Sequence, residues 1–344
     1  MSVFNTSVSG GGAKFTLTVS VTSGAQVTAS KGDKVVSGTS TNGEAVLVLP
    51  EAGEWTVSGT LNGQASGSVA VEVVVDYTAA LTFVDSVLNN NDWSTISEVS
   101  DAGTGANYWA IGDRKQVTLN GTVGSCTFSN YSTYAFIIGF NHNSSREGTG
   151  RIHFQLAKTA LSGGTDICFT DSSYNSSGSS AAFRMNTSRT NSGGWEDSYM
   201  RNSICGTSKT STSGRFMGAI PSVLRNVLKS VSKYTDNTGG GDGSVSNYVT
   251  RTTDYIFLLS EYEVFGTITD GNTYEANYQQ QYAYYAAGNS KIKYRHNSTG
   301  SSARWWLRSP HASISDRFRC VNTSGNVDNI YADYSLGFAP GFCV

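Results

Sequence analysis

Glu261 and Glu263 are the residues most open to a catalytic reading. They lie beside an apolar run, and paired carboxylates can divide acid and base roles between them. One residue separates them, so on a strand they share a face. A structural role competes with that one. A buried arginine needs a carboxylate, and Arg308 or Arg304, beside the double tryptophan Trp305-Trp306, would gain a bidentate partner from one of the two glutamates. We take the structural role as the expectation. The four histidines, His142, His153, His296 and His311, show no paired metal-ligand spacing. The five cysteines, Cys126, Cys168, Cys205, Cys320 and Cys343, are odd in number and widely spaced, with no C-x-x-C. They read as reduced, buried, small apolar residues rather than a zinc site or disulfide framework. Gly239 to Gly243 lacks the Lys-Ser/Thr of a phosphate loop and reads as a flexible loop. No Gly-x-Ser-x-Gly and no clustered acidic calcium loop is present. The expectation is a non-enzyme with no metal and no cofactor.

A different chemistry gathers between Pro310 and Gly337. His311, Ser313, Ser315, Asp316, Arg317, Asp328, Asn329, Asp333 and Ser335 are interleaved with Phe318, Tyr331 and Tyr334. Binding surfaces favour this mixture. Tyrosine gives contact area at low entropy cost, and small polar residues adapt their hydrogen bonds. The aromatic residues read as anchors and the polar ones as adaptable contacts.

The elements that carry these residues follow from the rest of the chain. Its 344 residues correspond to about two domains at roughly 150 each. Charged residues are 15%, against roughly 25% in ordinary soluble domains. The formal net charge of -2 gives no basic field for a phosphate backbone, so nucleic acid is not an expected partner. No apolar run approaches the roughly 18 residues of a membrane span. The start, Met1-Ser2-Val3-Phe4-Asn5, has no signal-peptide pattern.

Lys14 to Val21 alternates with period two and places Phe15, Leu17, Val19 and Val21 on one face. Further short strands follow up to Val69–Val75, with Asn42-Gly43 and Asn62-Gly63 as hairpin tips. About seven strands suggest a small β-sandwich over residues 1–77. The boundary falls near 76–85. Beyond it, Val117–Val123 reads as strand and turn, Tyr134–Phe140 as a central strand and Ile152–Leu156 as its neighbour. Gly194–Cys205 and Tyr274–Ala287 read as helices. Pro221–Val231 reads as the best one, with Val223, Leu224, Val227, Leu228 and Val231 in a stripe. Tyr255–Ser260 is buried and of undecided type.

Two resemblances add to this. The stretch from Gly43 through Leu49-Pro50-Glu51-Ala52-Gly53-Glu54-Trp55 resembles bacterial Ig-like or carboxypeptidase-regulatory-like modules, common spacers on phage tail proteins and adhesins. Arg304-Trp305-Trp306-Leu307-Arg308-Ser309-Pro310, Phe318-Arg319-Cys320-Val321-Asn322 and Gly337-Phe338-Ala339-Pro340-Gly341-Phe342 resemble the W-W-L-R-S-P domain of unknown function found in gut bacteria and their phages. Its wider relatives are C-type-lectin-like folds, including the phage tropism proteins that diversity-generating retroelements vary and the formylglycine-generating enzymes. The resemblance implies a mainly β chain with an α+β C-terminal part: an N-terminal Ig-like β-sandwich over 1–77, then a C-type-lectin-like ligand-binding domain over 85–344.

It implies a phage receptor-binding protein on the virion tail. That protein would contact a host cell-surface protein or glycan and other tail proteins, without membrane insertion, as a homo-oligomer, a trimer by analogy. Adenine-directed mutagenesis of Asn codons yields Asn, Ser, Asp, Tyr, His and Ile, the types found between Pro310 and Gly337. The alternatives are a bacterial surface adhesin or glycan-binding lectin, and an enzyme on the formylglycine-generating fold. For that enzyme Cys320 and Cys343 are the local cysteine candidates, and we do not carry its activity over.

Overall fold

A computed structural model describes residues 15–74 and 77–344. Met1 to Asn5, Lys14, Val75 and Asp76, which the sequence reading assigned to the chain start, the first strand, the last strand and the linker, lie outside the described residues. The chain divides into two compact units after Asp85. Strand is the dominant secondary structure.

The first unit contains β1 (Phe15–Ser20), β2 (Gln26–Lys31), β3 (Lys34–Thr39), β4 (Glu44–Leu49), β5 (Gly53–Leu61), β6 (Gln64–Ala65), β7 (Val69–Val73) and β8 (Tyr77–Ala80). One sheet has the order β4-β1-β8. The other has the order β3-β2-β5, with β6 and β7 both paired to β5. Period-two alternation sends Phe15, Leu17 and Val19 of β1, and Ala45, Leu47 and Leu49 of β4, into one core with Trp55, Val57, Val71 and Val73. Asn62 and Gly63 both have positive φ and join β5 to β6 as a hairpin tip. Asn42 and Gly43 also have positive φ, but that turn passes the chain from one sheet to the other, since β3 and β4 belong to different sheets. Only the bridge Thr41–Glu44 closes it.

The second unit contains α1 (Trp93–Asp101), β9 (Arg114–Val123), β10 (Cys126–Phe140), α2 (Ser144–Glu147), β11 (Ile152–Lys158), β12 (Ile167–Cys168), α3 (Phe216–Ala219), α4 (Ser222–Val227), β13 (Val231–Asp236), β14 (Val249–Asp254), β15 (Ile256–Phe257), α5 (Glu261–Phe265), α6 (Ala283–Ala286), β16 (Lys293–Arg295), β17 (Ser298–Ala303), β18 (Trp305–Pro310), β19 (Arg317–Val321), β20 (Val327–Tyr331) and β21 (Gly341–Cys343). Its main sheet has the order β15-β21-β11-β10-β9. Every residue of β11 is buried, the alternating polar His153 and Gln155 as well as the apolar Ile152, Phe154 and Leu156. A separate three-stranded meander, β18-β19-β20, together with its β18–β19 connection, carries most of the C-terminal binding candidates.

Several local readings need correction. Pro221–Val231 is helical only over α4. Leu228 leaves the helix at ψ 134°, and Val231 pairs with Asp254 as the first residue of β13. Val223 is 63% exposed rather than part of a buried stripe. The helix stops at Val227, and β-branched Val231 opens the strand that pairs with β14. Gly194–Asp197 forms turns, and the helical part is confined to Tyr199 and the π-type segment Met200–Cys205. Tyr274–Ala287 divides into a 3-10 turn at Thr273–Asn277 and the short α6. Asn120-Gly121 lies inside β9, and the turn follows at Gly124, where φ is positive. Glu261 and Glu263 lie on a helix, α5, not on a strand.

Candidate ligand-binding face

β20 forms one edge of the meander, and all five of its residues are half-buried. Arg317 of β19 lies directly across from Tyr331. The Arg317 guanidinium is 4.7 Å from the Tyr331 ring centre, and Arg189, from a loop far earlier in the chain, is 4.2 Å from it. Arg189 also reaches Tyr334 at 5.8 Å, and the two tyrosine rings lie 5.6 Å apart. The result is a half-exposed arginine–tyrosine cluster in which cation–π attraction orders long side chains. Hydrogen bonds fix the arginines further. Arg189 Nε donates to Asp333 at 3.2 Å, and Arg317 Nη1 donates to Asn329 at 2.8 Å. Arg304 pairs with Asp328 at 3.4 Å. Ser313 and Ser315 are exposed at the tip of the β18–β19 connection.

The structure therefore groups Arg317, Asp328, Asn329, Tyr331, Asp333, Tyr334, Asp316, Ser313 and Ser315 near one edge. It removes three of the proposed contacts. Phe318 is fully buried on the inner side of β19 and cannot be an anchor. His311 is buried, accepts from the Ser313 backbone N–H and shapes the loop from below. Ser335 is buried and donates to Asp171 at 2.8 Å. Alternation within the strand could have separated Phe318 from Arg317. Arg189 left no signal, because its contact spans more than a hundred residues.

Asn191, fully buried, organises the loops behind the face. Its side-chain nitrogen lies within 3.0 Å of the carbonyls of His311, Ile314 and Arg317. Its side-chain oxygen accepts from Gly240 N–H at 2.7 Å, and its backbone N–H donates to Ser315. Gly239 has φ +57°, and an added Cβ there would lie 2.0 Å from the Asn191 carbonyl. That glycine lets the two loops touch.

Beneath the meander is a buried ionic network. Arg308 grips both oxygens of Glu263 and donates to Thr235 and the Leu258 carbonyl. Lys233 donates to Glu147 at 2.8 Å, Glu263 at 3.0 Å and Tyr282 at 2.8 Å. A second pair joins Arg319 to Glu261 at 2.9 Å, extended by Asp270 and Thr269. Glu263 also closes the capping box of α5 with Ser260. Trp305 and Trp306 are fully buried and donate their indole N–H groups to the carbonyls of Lys291 and Phe183. All five expected support residues are thus in the interior, and Lys233, Glu147, Glu275 and Arg319 join them unannounced.

A protein family described as a domain of unknown function (DUF6273) matches residues 173–344. The chain belongs to this family. No curated protein and no solved structure matches it. The DUF6273 segment spans the arginine–tyrosine face, Asn191, the meander and the Arg308–Glu263 pair. It starts after β9, β10 and β11, so Glu147, His142 and His153 reach the DUF6273 core from outside the match.

His142, Glu147 and Glu263 offer ligand atoms within 4.8 Å of one another, a spacing with metal-site character. The ammonium of Lys233 already lies between the two carboxylates, and both oxygens of Glu263 serve Arg308. A cation at that point is supplied by the chain itself. Burial, helped by Lys233, pushes His142 down to about 3, and burial holds His153 well below its ordinary range. Burial alone would push Glu263 up, but Arg308 and Lys233 together hold its carboxyl below the ordinary range. Burial raises Glu147, because Lys233 is shared with Glu263 and compensates only in part. Burial also raises Glu275 to about 7 against hydrogen bonds from Asp236 N–H and Ser309.

Cys343 Sγ lies 3.3 Å from His153 Nδ1, the geometry of a thiol–imidazole pair. Burial drives the thiol up and the imidazole down, so the pair rests neutral, the reverse of an activated thiolate. All five cysteines of the DUF6273 chain are free and buried.

Proposed function

We propose that this chain is a tail-associated receptor-binding protein of a bacteriophage, non-enzymatic, that contacts a host cell-surface ligand through the arginine–tyrosine edge. In this reading residues 1–77 are an Ig-like spacer or attachment module, and residues 85–344 are a C-type-lectin-like binding domain. The protein resides on the virion with other tail proteins and acts as a homo-oligomer, for which a trimer is the starting assumption. Weak single contacts gain from such an array.

One observation carries the reading. Tyr331 is flanked by Arg189 and Arg317 on a half-exposed strand edge whose scaffold is a fully buried ionic network. Rigid aromatic and arginine groups on a fixed base are what binding hot spots are made of. Membrane insertion has no support from helices, since among the described residues none is long and apolar enough to cross a bilayer. Retroelement diversification is part of the proposal. A template repeat and reverse transcriptase beside the coding locus are expected, and a locus without them removes that part.

The test is binding of the purified full chain to intact cells of a panel of gut bacteria, alongside a variant with Tyr331, Tyr334 and Arg317 changed to Ala. Strain-selective binding that disappears in a variant with an unchanged melting temperature is the expected result. Binding that survives moves the site elsewhere, and no binding to any strain favours a purely structural particle protein.

A further inference from the structure

The face holds buried polar atoms with no hydrogen bond. Arg317 Nε and Asp316 Oδ1 face each other as an ion pair at 3.6 Å, too far apart for a hydrogen bond, and neither has a hydrogen-bond partner. Asp333 Oδ1 and Arg304 Nε likewise have no hydrogen-bond partner. Unmade hydrogen bonds of this kind are costly. The face thus combines orphaned donors with orphaned acceptors, side by side.

The orphans restrict what chemistry can complete them. A carboxylate ligand would serve the guanidiniums and meet Asp316 and Asp333 with like charge. A hydroxyl both donates and accepts, so one hydroxyl can accept from a guanidinium while donating to the neighbouring carboxylate. Arg189 Nε already donates to Asp333 Oδ2 at 3.2 Å beside the ring of Tyr334, which leaves Asp333 Oδ1 as the open acceptor of a second donor–acceptor pair. Asp316 and Arg317 are about one-third exposed, so a side-chain rotation opens their inner atoms to a ligand. The tyrosines add flat apolar surface for the C–H side of a ring. A divalent cation has no comparable seat, because each carboxylate of the face already has an arginine within 3.6 Å.

Building on the receptor-binding reading, we infer that the ligand of this face is a neutral, polyhydroxylated sugar unit of a surface glycan, held by the Asp316–Arg317 and Arg189–Asp333 doublets without a metal ion. Vicinal hydroxyls bridge each doublet, and the sugar ring rests against Tyr334.

Two probes test it with the full chain. The first is cells from the binding panel treated with mild periodate, which cleaves vicinal diols, or with protease. The second is a microarray of immobilised neutral and acidic oligosaccharides, with and without EDTA. Expected are loss of cell binding after periodate but not after protease, and array binding to neutral sugars unchanged by EDTA. Asp316→Asn and Arg317→Lys, which change a doublet conservatively, are each expected to weaken array binding about tenfold.

Loss after protease but not after periodate overturns the inference and leaves the receptor reading standing with a protein ligand. Array binding confined to acidic sugars, or abolished by EDTA, also overturns it. Array binding to neutral sugars through the doublets, with no cell binding, keeps the inference and defeats the receptor reading. Silence in both arms defeats both.

Discussion

Glu263 illustrates how one side chain sets the interior of the second unit. It serves Arg308 through both oxygens, takes a bond from Lys233 and caps α5. Replacing it with Gln keeps the volume but strands Arg308 in a site closed to water and leaves Lys233 with Glu147 as its carboxylate partner. Breaking a buried ion pair on one side costs roughly 3–5 kcal/mol. For a unit of this size that lowers Tm by on the order of 10 °C. A Glu263→Gln protein melting at the wild-type temperature would show that the pair is not structural. The partnership with Arg308 was legible because an arginine beside two tryptophans must find a carboxylate. Lys233 and Glu147 were not, since neither has a distinctive neighbour in sequence, and they meet only when α2 packs on β13. Phe318 and His311 were misassigned for the opposite reason: a polar, aromatic-rich segment looks wholly exposed until strand alternation is imposed on it.

The loops joining the elements depend on Asn191 in the way the core depends on Glu263. One amide group ties the 311–317 connection to the 238–243 loop. Asn191→Asp removes the donors while keeping the shape; the His311 and Ile314 carbonyls lose that amide, while the Arg317 carbonyl keeps the His311 N–H. The expected cost is roughly 1–3 kcal/mol. Hydrogen exchange should quicken at 313–317 while amides of β10 and β11 keep their protection. Exchange unchanged at 313–317 would mean the loop is held by other contacts. Strands with clear alternation or unbroken apolar runs, such as β1, β10 and β11, were readable from sequence because burial imposes their pattern. The helices were not, since those of the second unit are short and their ends are decided by pairing partners, as at Leu228 and Val231. The long irregular stretch between β12 and α3 carries no periodicity at all. Its order comes from backbone bonds to the C-terminal part, such as Asn186 N–H to the Ala332 carbonyl and Asn191 N–H to that of Ser315.

Across the whole molecule, buried titratable groups set opposing responses to pH. His142, His153 and His296 are held by burial below their ordinary 6.5. The unfolded chain takes up those protons first, so their stabilising contribution is full above 6.5 and is lost as pH falls. Glu263, depressed, contributes above 4.5 and loses that below it. Glu275 and Glu147, each raised from 4.5 to about 7, act the other way. Their contribution is full below 4.5 and is lost as pH rises through 7. Thermal melts should therefore fall on acidification from pH 7 to 4. Glu275→Gln should cost less stability at pH 8 than at pH 5, and an equal cost at both would contradict the assignment.

The division of labour between interior and edge has a last consequence, for inheritance rather than for binding. The bonds that hold the 311–317 connection run through backbone carbonyls, Asn191 and His311, none of which projects from the surface. Substitutions at exposed Ser313 and Ser315 therefore disturb little of the scaffold, within about 0.5 kcal/mol for ordinary surface changes. Change at those two positions and constancy of the scaffold are thus compatible in one inherited architecture.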